Sequence, residues 1–287
     1  MNRIISFVAG LLIVLSAKGQ FTRSEAGVFG GLSYYLGDLN PSKQFFLSEP
    51  AFGAIYRYNL TPRWSFKFNG IYGTLQGSDS RSGANPTRNL SFKSHIVDIS
   101  AQIELNFLPY ITGHDRFFIS PYIFTGASVF NFSPKANYEG KWYSLQPMGT
   151  EGQGTTVSNG NKPYSLTQIG IPFGVGIKYS LLKKFCIGLE WGMRKTFTDY
   201  LDDVSTVYPD PVIIEAESGP IAAALSDRTV KEPGQVVNNT GLQRGNSHTK
   251  DWYSFAGIFV TYKIKGKNAH CAAYKEHPKI KNKYSSD

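Results

Sequence analysis

Residues 167–179, TQIGIPFGVGIKY, alternate without a break. Ile169, Ile171, Phe173, Val175, Ile177 and Tyr179 fall on one face of an extended chain, and Gln168, Gly170, Pro172, Gly174, Gly176 and Lys178 on the other. A period of two over this length is incompatible with a helix and demands a strand whose faces meet different surroundings. The segment from 185 repeats it, with Phe185, Ile187, Leu189, Trp191 and Met193 opposite Cys186, Gly188, Glu190, Gly192 and Arg194. In the segment from 96, Val97, Ile99, Ala101, Ile103, Leu105 and Phe107 oppose Ile96, Asp98, Ser100, Gln102, Glu104 and Asn106. Weaker versions at 25–36, 51–60, 63–75, 117–130 and 251–264 bring the expected strands to eight, with the facing of the first, fifth and eighth ambiguous.

A soluble sandwich also alternates, but its apolar faces meet in a core and its polar faces reach water. Here the polar faces are mostly Gly, Ser, Asn and Gln with sparse charge, and only 18% of the chain is charged, against about 25% in soluble domains. Twenty Phe, 17 Tyr and 4 Trp beside 29 Gly favour strands over helices and argue against disorder. The pattern suits a barrel turned inside out, apolar toward lipid and polar within. Connection lengths point the same way. Residues 37–50, 76–95, 131–166 and 195–250 are long, whereas 61–62, 108–116 and 180–184 are short. The expected fold is therefore all-β: an eight-stranded antiparallel transmembrane β-barrel with short periplasmic turns and long extracellular loops.

The N-terminus fits export. Arg3 precedes an apolar stretch over 4–15, and Ala17-Lys18-Gly19 offers small residues for cleavage before Gln20. The stretch is short of the about 20 residues a membrane helix needs. Residues 1–19 read as a signal peptide, 20–265 as the barrel and 266–287 as a basic periplasmic tail, which places the protein in the outer membrane with its C-terminus in the periplasm. Loss of Arg3 and Lys18 takes the formal charge from +9 to +7, and from Lys263 onward seven lysines face only Glu276 and Asp287. Such a tail suits anionic headgroups, an acidic protein partner or simple solvation. Nucleic acid does not suit an exported membrane protein.

Eight strands close around a space that side chains fill, so no pore is expected. The inward ionisable set is Glu25, Asp98, Glu104 and Glu190 against Arg57, Lys67, Lys178 and Arg194, a balance that reads as a structural plug of ion pairs rather than a proton relay. Neither a metal nor a cofactor site is expected, because His95, His114, His248, His270 and His277 fall in no ligand spacing. Ser94, His95 and Asp98 raise the question of a hydrolase, but sequence neighbours on a strand point apart. Asp199, Asp202 and Asp203 could hold calcium, yet lack the glycine and terminal Glu of an EF-hand. A solvated or Arg-paired turn is the preferred reading. Two cysteines exclude a disulfide-dense scaffold. Cys186 and Cys271 both belong at the periplasmic end, where the oxidising compartment permits a bridge.

The loops carry a more specific signature. The segments SYYLGDLNP (33–41), NLSFKS (89–94), SPYIF (120–124), WYSLQPMGTEGQGT (142–155), IPFGVGIKY (171–179), EWGMRKTFTDYLDDVST (190–206), LSDR (225–228) and QRGNSHTKDWYSF (243–255) resemble the PorG family of the type IX (Por) secretion system. That resemblance implies a non-enzymatic outer-membrane component linking the lipid bilayer to the periplasmic ring of PorK and PorN, near the type IX translocon. Competing classes are an adhesion or stability barrel and a lipid-modifying barrel enzyme. The motif-rich loops nominate Trp142, Tyr143, Asp199, Asp202, Asp203, Arg244 and Trp252 as contacts of an outer cap, either with a partner or internal to the cap.

Overall fold

The computed structural model describes residues 24–158, 162–232, 235 and 237–264. The expected signal peptide 1–19, the tail 266–287 and Cys271 lie outside the described residues. Strands β1 (Ser24–Leu36), β2 (Glu49–Asn59), β3 (Trp64–Ser78), β4 (Ser91–Asn106), β5 (Ile119–Tyr138), β7 (Thr167–Leu181), β8 (Phe185–Thr196) and β9 (Trp252–Ile264) pair antiparallel, each with the next. The register from Ser24 opposite Ile264 to Leu36 opposite Trp252 closes β9 onto β1, so the barrel has eight strands and no free edge. A ninth short strand, β6 (Lys141–Ser144), pairs only with the far end of β5. Glu139 and Gly140 connect them at φ of 52° and 82°, the left-handed pair that a two-residue hairpin turn requires.

The alternation in the sequence becomes two surfaces. Val28, Ile99 and Ile169 are 63, 66 and 60% exposed, while Phe29 and Ser100, one residue further along, are buried. Exposed apolar side chains of this kind ring the wall on all eight barrel strands, far beyond what a water-facing surface tolerates. Aromatic residues concentrate toward both ends of the band. Trp64, Phe107, Phe118 and Tyr179 stand at the short-turn end, with Tyr72, Phe173 and Trp191 toward the other, in the arrangement of a membrane-spanning barrel. Among the described residues no helix is long and apolar enough to cross a membrane.

Three connections differ from the sequence-based expectation. β3 runs on to Ser78 and β4 begins at Ser91, so the expected 76–95 loop shrinks to residues 79–90, which include the single turn α1 (Asp79–Ser82). β5 continues eight residues past the expected strand end at 130, and β6 lies within the expected 131–166 loop. The longest loop contains α2 (Pro211–Ser218) and α3 (Pro220–Ser226), each opened by a proline whose missing N–H costs nothing at a helix start. The strand ladders thus run beyond the apolar band, because their hydrogen bonds continue wherever the loops supply facing residues.

The interior also differs in kind. The strands of ambiguous facing are those that turn aromatic rings inward: Phe29 on β1, Tyr122, Phe124, Phe130 and Phe132 on β5, and Tyr253, Phe255 and Phe259 on β9. Their sockets are glycines on the same stretch of wall, one or two strands away. A Cβ added to Gly176 would sit 2.5 Å from the Tyr122 ring, at Gly188 2.4 Å from Phe259, and at Gly192 2.6 Å from Phe124. Large rings seated against glycines fill this part of the lumen.

Candidate functional site

The backbone parity of β1–β4 and β7–β8 aims the eight ionisable residues named from the sequence into the lumen, and all eight are buried. At the short-turn half, Arg57 Nη1 reaches Glu25 at 3.1 Å and Arg57 Nε reaches Glu104 at 2.9 Å. Lys178 lies 2.8 Å and Lys67 3.3 Å from Glu104, and Lys67 also pairs with Glu190. Hydroxyls and an amide supply further donors. Asn59, Thr112 and Thr261 donate to Glu25 at 2.9, 2.6 and 2.8 Å, and Tyr122 donates to Glu190 at 2.5 Å. Higher in the lumen Asp98 accepts from Tyr253 at 2.7 Å, and Arg194 approaches it only to 4.0 Å. Aromatic faces cover the cations, with Lys67 4.2 Å from the Phe124 centroid, Arg57 4.9 Å from Phe259 and Arg194 4.6 Å from Phe255. Two participants had no signal in the strand pattern. Tyr110 and Thr112 enter from the β4–β5 turn and seal the short-turn end. Cys186 is buried in the lumen wall, and its expected partner lies outside the described residues.

The long loops build a second buried network. Glu151, held in a loop that turns on Gly149, Gly152 and Gly154 at positive φ, accepts from the backbone N–H groups of Ser205 and Thr206 at 2.8 and 3.0 Å. Arg244 donates to Glu151 at 2.9 Å and to the carbonyls of Asp203 and Ser226 at 2.5 and 3.0 Å. Asp203 accepts from Tyr164 at 2.6 Å and from Thr150. Tyr35 Oη lies between Asp202 at 2.5 Å and Asp251 at 3.0 Å. On the far side Arg88 clasps Asp79 through two bonds of 2.8 and 2.6 Å and donates to the Arg244 carbonyl at 2.6 Å, which ties the second loop to the fourth. Leu39, Leu90, Leu145, Leu201, Val204 and Leu225 fill the space around these groups.

Burial governs the titration of the cap. It pushes Asp203 up to about 6 against the pull of Arg244, and Asp199 up to about 6 against a 2.7 Å bond from Ser205. Asp202 and Asp251 are raised well above the ordinary carboxylate range by burial first and then by neighbouring carboxylates, Asp38 for the former and Asp202 for the latter. One hydroxyl proton of Tyr35 faces both carboxyls, and burial favours the neutral form of each.

The structure thus separates the residues nominated for the cap. Asp199, Asp202, Asp203 and Arg244 are buried and engaged internally, so of the solvated and Arg-paired readings of the acidic turn it is the Arg-paired one that applies to Asp203, 3.9 Å from Arg244 Nη2. Their oxygens are taken by Tyr, Thr and Ser hydroxyls and backbone N–H groups, and among the described residues no acidic, histidine or cysteine cluster is arranged to hold a metal. Trp142 is 56% exposed near the β5–β6 tip, while Tyr143 packs against the cap core. Trp252 stands on the outer wall edge-on to Phe173 at 5.8 Å. Ser94 is buried and donates to the His95 carbonyl, whereas the His95 ring is exposed and bonds Tyr72 at 2.9 Å and Thr74 at 3.2 Å, so the two side chains point apart. Glu151, Arg88, Asp79 and Tyr35 escaped the sequence reading. The signal for Glu151 was a lone carboxylate between turn glycines.

A family model described as "Domain of unknown function (DUF6089)" matches residues 2–212, which take in β1 to β8 and the acidic segment of the cap. The chain belongs to the DUF6089 family. Among curated proteins no relative matches the sequence. Among solved structures it is similar to Ail of Yersinia pestis at 9% identity, covering 84% of this chain and 98% of that one with a TM-score of 0.40. Neisserial surface protein A shows 9% identity, 84% and 97% coverage and a TM-score of 0.40. For OprG of Pseudomonas aeruginosa the values are 8%, 86%, 98% and 0.36. At such distances these likenesses carry no function to the chain.

Proposed function

We propose that this DUF6089 barrel is a non-enzymatic outer-membrane component of the type IX protein secretion machinery, of the PorG kind, linking the membrane to the periplasmic PorK and PorN ring. The observation that carries the reading is where the resembling loop segments go. Tyr35 from 33–41, Glu151 from 142–155, Asp199 to Asp203 from 190–206, Ser226 from 225–228 and Arg244 and Asp251 from 243–255 meet in one buried network. The likeness is therefore seated in residues that determine the shape of a cap, not in scattered surface positions.

The long loops face outward in this proposal, and the short turns, with Ser24 at the start of β1 and Ile264 at the end of β9, face the periplasm. The ring-facing surface is then the short-turn end, where Arg63, Arg116, Lys183 and Lys184 are exposed beside Phe107, Leu108 and Leu182. Charge and exposed apolar side chains together suit a protein contact better than solvent alone. An adhesion or stability barrel is the alternative, with a lipid-modifying enzyme behind it. Cross-linking in intact membranes followed by pull-down of the tagged full chain tests the reading. Recovery of the two ring proteins, with failure of cargo export in a deletion strain, is expected. Normal export without the protein would overturn it.

A further inference from the structure

The wall just beyond the apolar band carries cations that neither network uses. Lys93 on β4 and Lys135 on β5 are direct partners in the strand ladder, and parity turns both outward, as it does Val97 and Val129 below them. Residues opposite one another on a sheet face lie about 5 Å apart, where like charges repel. Glu49 answers one of the two, accepting from Lys93 at 3.1 Å. Lys135 has Lys93 on one side and Ser144 on the other, and among the described residues no carboxylate pairs with it. One strand position farther from the band, Ser91 accepts from Arg228 at 3.0 Å. Ser91 and Lys93 share a face two residues apart, about 7 Å along the strand. Arg228 is half-buried, and burial lowers its pKa with no carboxylate to offset it.

Three cations against one carboxylate leave an anion-shaped deficit, and its position narrows the anion's identity. Val97 and Val129, 44 and 51% exposed, belong to the apolar wall on the same face, below a polar row of His95, Ser133 and Asn131. A ligand seated here meets positive charge and hydroxyls at one end and hydrocarbon-facing wall at the other. Segments 89–94 and 225–228, singled out from the sequence, supply Ser91, Lys93 and Arg228, whose side chains take no part in the interior of the cap.

We propose that Lys93, Lys135 and Arg228 form a binding site for the phosphorylated headgroup of an outer-leaflet lipid, whose acyl chains lie on the Val97–Val129 strip. The proposal rests on the outer-membrane placement and orientation above, not on the secretion role. The full chain, folded in detergent and shown to migrate as a heat-modifiable barrel, is titrated with diphosphoryl lipid A, dephosphorylated lipid A and inorganic phosphate. Wild type is expected to bind the diphosphoryl form at least about tenfold more tightly than the dephosphorylated one, with millimolar phosphate failing to compete. Lys135→Gln and Arg228→Gln are each expected to weaken binding about fivefold and together about 30-fold, from the usual contribution of a basic residue at an anionic lipid surface. Lys250→Gln, in the last loop, is expected to leave affinity unchanged.

Equal affinity for the two lipid forms, or an unaffected double variant that still migrates as a folded barrel, would overturn the site. Competition by millimolar phosphate would overturn the lipid assignment. A wild-type chain that cannot be folded in detergent or bilayers would instead overturn the membrane placement itself.

Discussion

Replacing Glu104 by glutamine probes the lumen at its most connected point. The short-turn half of the network holds three cations, Arg57, Lys67 and Lys178, against three anions, Glu25, Glu104 and Glu190, all buried. Glu104 alone meets all three cations, through bonds of 2.9 and 3.2 Å from Arg57 and 2.8 Å from Lys178, with Lys67 at 3.3 Å. Glu104→Gln leaves the shape and removes the charge, so a site closed to water becomes positive by one. Breaking a buried pair costs about 3–5 kcal/mol, and the amide oxygen, still an acceptor, returns about 1 kcal/mol. The expected loss is about 2–4 kcal/mol, read from urea unfolding in lipid vesicles by tryptophan fluorescence and by the heat-modifiable gel shift. Adding Lys178→Met restores the balance at two against two, and the double variant should be more stable than Glu104→Gln alone. A single variant within about 1 kcal/mol of wild type, or a double variant worse than the sum of its parts, would refute the charge-balance reasoning.

The cap offers independent tests. Arg244→Met strands the buried Glu151 carboxylate and should destabilise the cap by about 3–5 kcal/mol, seen as rapid protease cleavage in the outer loops while the barrel keeps its folded migration. Because burial raises Asp203 from an ordinary 3.8 to about 6, its contribution is full below about pH 4 and lost as pH rises through 6. Hydrogen-exchange protection of the cap, corrected for intrinsic rates, should therefore fall by up to about 3 kcal/mol between pH 4 and 7, and Asp203→Asn should flatten that trend. Gly113 has φ of 86°, and a Cβ there would lie 2.2 Å from the Lys183 carbonyl oxygen. Gly113→Ala should thus loosen the turn that seals the short-turn end by at least about 1–3 kcal/mol, measured as a lower unfolding midpoint.

Sequence periodicity revealed the wall where the two faces differ in character. β4, β7 and β8 pair apolar residues with Asp98, Lys178 or Glu190, and their facing needed no structure. β1, β5 and β9 resisted because both of their faces are apolar. Val28 meets lipid while Phe29 enters the lumen, and the difference lies in Gly176, Gly188 and Gly192 on other strands, which look like spacers until the rings that occupy them are placed. The cap was legible only as a concentration of motifs. The partners of Asp202 and Asp203 were hidden because Tyr35 and Thr150, which bond them, lie 167 and 53 residues away. Trp142 read as equal to its neighbour Tyr143, and a two-residue hairpin at Glu139–Gly140 sends the one outward and the other into the cap core.

The fold rests on apolar alternates that face lipid and polar alternates that fill a sealed lumen. Single cysteines in place of Val28, Ile99 and Ile258, and in place of the lumen-facing Ser65, Ser100 and Ser128, are offered a membrane-soluble maleimide in the chain folded into bilayers. Rapid labelling of the first three, with the second three protected until the barrel is unfolded, is predicted; equal labelling of the two sets in the folded barrel, or the reverse order, would overturn this facing.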